Sequence, residues 1–131
     1  MSDKGTVLPI LALLLLGGAL AVTLAVDVGR CGAAWREASF AADAGAEAGA
    51  AAIDPAEAYE GRLLLDPTLA EEEAVAAALA ARPRTGRVAS AEAGTARVCV
   101  TVHQPFPPGL LGSVVGGRVI AAAACASPAQ G

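Results

Sequence analysis

Residues 5–26 carry no charged side chain, and residues 8–16 read Leu-Pro-Ile-Leu-Ala-Leu-Leu-Leu-Leu. As a helix, at a rise of ~1.5 Å per residue, this stretch reaches roughly 33 Å, enough to cross a bilayer core. Pro9 falls in its first turns, where a missing N–H does least damage. The helical pattern does not stop at Val26. Residues 27–52 are rich in alanine, the best helix former, and the next proline is Pro55. One helix is therefore predicted over residues 6–53, on the order of 70 Å long. Its first half is apolar and its second half amphiphilic. In the second half, Ala41, Gly45 and Gly49 recur at every fourth position and form a stripe of small side chains. Such stripes let helix backbones approach closely, so Ala41, Gly45 and Gly49 are a candidate packing face. The partner helix is either one of the chain's own or a neighbour's in an assembly. Arg36, Phe40, Asp43 and Glu47 form a second stripe on another face.

Two further helix starts share one signal, an aspartate cap followed by proline at the first helical position: Asp54-Pro55 with Glu57, and Asp66-Pro67. The helix after Pro67 places Glu71, Glu72 and Glu73 early and Arg82 at its end, matching the macrodipole. Pro83 ends it, and Leu69, Val75, Ala76 and Leu79 are its predicted buried stripe. After Gly86 the period changes to two. Residues 97–103 alternate cleanly, with Val98, Val100 and Val102 on one face. Residues 87–91 are a weaker strand that turns at Ala93-Gly94, and residues 118–125 are a third. The intervening residues 104–115 contain Pro105, Pro107 and Pro108, which favour extended chain. Three antiparallel strands are expected. If Cys99 stands opposite Cys125, then Val102 stands opposite Ala122, and this reading puts the apolar members of both pairs on one face. A Cys99–Cys125 bridge is geometrically accessible in that register, leaving Cys31 free near the membrane.

Composition narrows the function classes. The chain has 131 residues, of which 55% are hydrophobic but only 3% aromatic. Alanine supplies much of the apolar count, so any core is thin at roughly 25 cal/mol per Å² buried. A chain this short usually needs a membrane, a partner or a disulfide to hold it together. Net charge is −4 with no basic run, which argues against a nucleic-acid partner. Three cysteines without C-x-x-C spacing and a single histidine, His103, give no cluster for a metal site. An odd cysteine count in an exported chain suggests one bridge and one spare thiol. Ser39, Ser90 and Ser113 sit in no nucleophile elbow, and no glycine loop has phosphate-binding form. His103 reads as a surface or packing histidine. No catalysis, no cofactor and no small-molecule substrate are expected.

The N-terminal segment has two readings. One is a retained transmembrane helix. The other is a secretory signal removed after Ala21, for which Ala19 and Ala21 supply the small residues. The apolar run continues through Val26, longer than a typical signal core, and favours retention. Lys4 lies on one side of the span and Arg30 and Arg36 on the other, so positive charge alone does not orient it. The cysteines and the polar, loop-rich remainder fit an oxidising exterior. The division expected is a leader and transmembrane segment over 1–26, a helix continuing outside the membrane over 27–53, and a small extracytoplasmic α+β domain over 54–131. Asp27, Gly29 and Arg30 mark the exit from lipid.

The run Ala25-Val-Asp27-Val-Gly29-Arg30, then Arg36, residues 41–46 (Ala-Ala-Asp-Ala-Gly-Ala) and Ala48-Gly49-Ala50 resembles the N-terminal region of TadE/TadG-like proteins. These are pseudopilins or minor pilins of the Tad, or Flp-type, pilus machinery. The opening Lys4-Gly5-Thr6-Val7 resembles the short leaders of actinobacterial members. The resemblance covers residues 4–53 well and the remainder loosely. It implies a pilin-like fold and a single-pass protein of the cytoplasmic membrane with its C-terminal domain outside. It further implies a part in assembling a surface pilus or a related secretion apparatus, and partners, besides membrane lipid, among pilus or envelope-assembly proteins met through helix packing. Prepilins cut by the dedicated peptidase carry Glu five residues after the cleavage-site glycine. After Gly5 that position is Ile10, a departure that weighs against processing there and against entry into a filament shaft. Two rival functions stand beside this one: a small exported binding module released after Ala21, and a bitopic scaffold of another envelope complex.

Overall fold

The computed structural model describes residues 7–106, 109 and 119–129. Its architecture is α+β: a long apolar N-terminal helix, two shorter helices and a three-stranded antiparallel sheet. The elements in order are α1 (Val7–Ala50), α2 (Pro55–Tyr59), α3 (Pro67–Ala80), β1 (Val88–Ala93), β2 (Val98–Pro105) and β3 (Val119–Ala126).

Helix α1 is a single unbroken element of 44 residues, roughly 66 Å long. It ends at Ala50, three residues before the expected Ile53. Ile53 instead bridges Leu65, while the Asp66 N–H donates to the Ala52 carbonyl at 3.0 Å. The chain thus turns back on itself and returns to the end of α1. Both aspartate caps form. The Asp54 carboxylate accepts from the Ala56 N–H at 2.8 Å, and Asp66 accepts from Thr68 and Leu69 at 3.0 and 3.2 Å. Each satisfies amide donors that a first helical turn leaves orphaned.

The sheet order is β1-β2-β3. α1 lies over β2 and β3, and α3 over β1 and β2. Val98, Val100 and Val102 are fully buried beneath the two helices. Ala89, Ala91, Ala93, Ile120, Ala122, Ala124 and Ala126 share that inner layer. The larger fully buried side chains are Leu65, Gln104 and the three valines. At about 1.5–3 kcal/mol for each buried aliphatic side chain, the core is as thin as the composition implies.

Three expectations are corrected. The predicted inward stripe of α3 faces the wrong way: Leu69 and Leu79 are 42% and 40% exposed, whereas Ala70, Ala74 and Ala78 are fully buried. The α1–α3 contact is too close for branched side chains, so alanines fill it and the leucines flank it. Pro105 belongs to β2 rather than to a loop, at an outward position opposite Val119. The Cys99–Cys125 register is as expected, with Val102 opposite Ala122. The two pairs nevertheless lie on opposite faces, because positions 99 and 102 differ by an odd number and side chains alternate along a strand. Prolines 107 and 108, and residues 110–118, lie outside the described residues.

Candidate functional site

Among the described residues, every side chain of α1 from Val7 to Val26 is exposed. Its apolar window has mean hydropathy 2.5 over 18 residues, and none of that window is buried inside the molecule. Leu8, Leu13, Leu14, Leu15 and Leu16 are each at least 60% exposed. This helix is long and apolar enough to cross a membrane. Its backbone polar groups are bonded within the helix, as hydrocarbon requires. The one hydroxyl in the stretch is satisfied locally as well: Thr23 Oγ1 donates back toward the carbonyls of Leu20 at 2.9 Å and Ala19 at 3.1 Å.

At the end of the apolar run the three exit residues diverge. Asp27 is only 6% exposed and its carboxylate touches Gly109, leaving no room there for a Cβ. Gly29 has open space around it, and Arg30 is exposed. Asp27 is therefore turned toward the domain, while Gly29 and Arg30 are exposed.

The small-residue stripe is spent inside the chain. A Cβ on Gly45 would lie 2.7 Å from the Ala74 carbonyl oxygen and 2.9 Å from the Ala78 Cβ. On Gly49 it would meet the Ala70 carbonyl at 2.8 Å and the Ala74 Cβ at 2.9 Å. Ala41 is fully buried. Of the two partners the sequence leaves open, the chain's own α3 occupies this face. A neighbouring protein therefore cannot pack on Ala41, Gly45 and Gly49 while the domain is folded. The second stripe, Arg36, Phe40, Asp43 and Glu47, is the one that faces outward.

Cys99 and Cys125 are disulfide-bonded across β2 and β3 on the outer face of the sheet, and Cys31 is a free, half-buried thiol. His103 is exposed. Glu71 does more than balance a helix dipole, since its Oε1 accepts from the Ala93 N–H at 3.0 Å and secures the end of β1.

A polar cluster sits where α1, the end of α3 and β2 meet. Arg87 is 7% exposed and Gln104 1%. Gln104 Oε1 accepts from Arg87 Nη2 at 2.7 Å and from Nε at 3.1 Å. Arg87 Nη1 donates to the carbonyls of Ala81 and Arg82, closing the C-terminal end of α3. On the adjoining face of α1, Glu37 is bound by Arg84, with Nε at 2.7 Å. The Arg84 hydrogen bond, helped by Arg84's charge and the Gln104 amide, holds the Glu37 carboxyl below its ordinary range against the cost of desolvation. The signal for this cluster was present: Gln104 continues the inward phase of Val98, Val100 and Val102, and an inward glutamine requires partners. The arrangement joins helix to sheet. It has no nucleophile beside a base, and among the described residues no group of three or more His, Cys, Asp or Glu could hold a metal ion.

Comparison of the chain with protein-family models, with curated proteins and with solved structures finds no match.

Proposed function

We propose that this chain is a membrane-anchored, TadE/TadG-like pseudopilin or minor pilin, acting without chemistry or cofactor in the assembly of a surface pilus or related secretion apparatus. In this reading α1 holds the protein as a single pass in the cytoplasmic membrane, with the disulfide-bonded domain outside. The supporting observation is the continuity of α1: one uninterrupted helix is bare and apolar at one end and the spine of a small folded domain at the other. Removal of the segment after Ala21 would leave Val22, Leu24 and Val26, each 47–64% exposed, as an apolar stub on a soluble domain. Retention in lipid leaves no such stub. The resemblance at residues 25–50 supplies the pilus assignment. With the Ala41/Gly45/Gly49 face occupied by α3, contacts with other assembly proteins fall to the outward stripe of Arg36, Phe40, Asp43 and Glu47. Deleting the gene and imaging the cell surface tests the assignment. Loss of pili, restored by the intact gene, is expected; normal piliation and adhesion would reject it.

A further inference from the structure

Strand β3 is an open edge of the sheet. It pairs with β2 without a break, from Val119 opposite Pro105 to Ala126 opposite Val98. Opposed residues of an antiparallel pair alternate between hydrogen-bonded pairs, about 5.5 Å apart from Cα to Cα, and non-bonded pairs, about 4.5 Å apart. Cys99 and Cys125 stand 4.0 Å apart and are therefore a non-bonded pair. The backbone N–H and C=O groups of Ala121, Ala123 and Cys125 consequently point away from β2, while those of Ala122, Ala124 and Ala126 bond to it. The opposite edge keeps the same phase: Ala93, paired with Val98, turns its N–H outward, and Glu71 accepts it. Among the described residues, the outward groups of Ala121, Ala123 and Cys125 have no hydrogen-bond partner. Proteins ordinarily blunt such an edge with a charged side chain, a proline or a bulge. Residues 119–126 carry none of these.

Helix α1 runs beside this edge in the same sense as β3. Gly45 lies against Val100 and Gly49 against Val98, and those valines pair with Ala124 and Ala126. Four helical residues, about 6 Å, thus match two strand residues, about 6.7 Å. A groove of ≈ 230 Å³ lies between helix and edge, with Asp43, Ala46 and Glu47 on one wall and Ala124, Cys125 and Ala126 on the other. Asp43 and Glu47 are exposed, and among the described residues neither takes part in an ion pair or hydrogen bond. Arg36, on the same stripe, lies about 10 Å short of Asp43 along the helix, so the groove beside residues 124–126 is acidic.

We infer that the free edge of β3 takes an extended segment of a partner protein as an added strand, and that this segment carries Lys or Arg at alternate positions. The open backbone groups supply the pairing common to any added strand. The carboxylates select the sequence, because alternate side chains on the helix-facing side of that strand are spaced about as Asp43 and Glu47 are. A second copy anchored in the same membrane cannot supply the strand. Two-fold pairing of edge strands is antiparallel, and β3 runs along α1, so the second anchor would point away from the bilayer. That exclusion rests on the membrane-anchored reading; the open edge and its carboxylates do not.

The probe is a synthetic peptide, Thr-Lys-Val-Lys-Val-Thr, blocked at both ends and titrated into the full chain in non-ionic detergent. Amide hydrogen exchange followed by NMR should slow at Ala121, Ala123 and Cys125, while Ala122 and Ala124, already bonded to β2, change little. Asp43→Asn with Glu47→Gln should weaken the peptide roughly fivefold, and added salt should weaken wild-type binding. Glutamate in place of both lysines should abolish the protection. So should proline in place of both valines, which keeps the charge but removes the paired N–H groups. Unchanged exchange at the three amides would overturn the proposal, as would equal protection by the glutamate or the proline peptide. Protection of the same amides without peptide, rising with protein concentration, would assign the edge to a second copy and likewise overturn it.

Discussion

Gly49 faces Ala74 across the α1–α3 contact so closely that a single methyl group on Gly49 would stand 2.9 Å from the Ala74 Cβ and 2.8 Å from the Ala70 carbonyl oxygen. Backbone atoms cannot yield as a long side chain can. Gly49→Ala and Gly45→Ala are therefore expected to destabilise the domain by about 1–3 kcal/mol of overpacking, less the ~1 kcal/mol that alanine contributes as a better helix former. Gly32→Ala, in the same helix with nothing within 4 Å, should be neutral or stabilising. Thermal unfolding of the detergent-solubilised chain, followed by circular dichroism, should show these opposite signs.

The disulfide links residues 26 positions apart. A loop of that length constrains the unfolded chain by roughly 3–4 kcal/mol. In a domain with so thin a core, Cys99→Ser with Cys125→Ser should lower the melting temperature markedly. Mass spectrometry after alkylation without reductant should find one modified thiol, at Cys31.

Arg87 donates to Gln104 and to two carbonyls in a nearly dry setting. Arg87→Met leaves those acceptors unsatisfied and should cost about 2–4 kcal/mol by chemical denaturation. Arg87→Lys should recover only part, because an ammonium lacks the planar fork that spans the three acceptors.

Glu37 carries the pH dependence. Its folded-state pKa is depressed, first by the hydrogen bond from Arg84. Its contribution is therefore fully present above the ordinary carboxylate pKa and is lost as pH falls through the lower, folded value. Because Arg84 is 46% exposed, solvent screening holds the effect to at most about 1 kcal/mol. Denaturation midpoints measured across the acid range should fall less steeply for Glu37→Gln than for the wild type.

Much of the fold was readable where one local rule dominated. The aspartate-proline pairs placed the starts of α2 and α3, and the alternation of Val98, Val100 and Val102 placed β2 and its inward face. The misreadings share a cause. On α3, Leu69 and Leu79 looked like the buried stripe because larger apolar side chains usually are. The closeness of α1 and α3 is a property of two segments meeting, set by Gly45 and Gly49, and it left space only for alanine. The burial of Asp27 is of the same kind, since it depends on Gly109, far along the chain, lying against its carboxylate. The link between Arg87 and Gln104 likewise depends on a meeting of β2 with the end of α3 that no local pattern carries.

Membrane anchoring through α1 requires the cell to keep the N-terminal segment. The decisive measurement is the intact mass and N-terminal sequence of the protein recovered from the membrane fraction after alkaline extraction. A membrane-retained chain still carrying residues 7–21 is the predicted result. A soluble chain beginning at Val22 would contradict it.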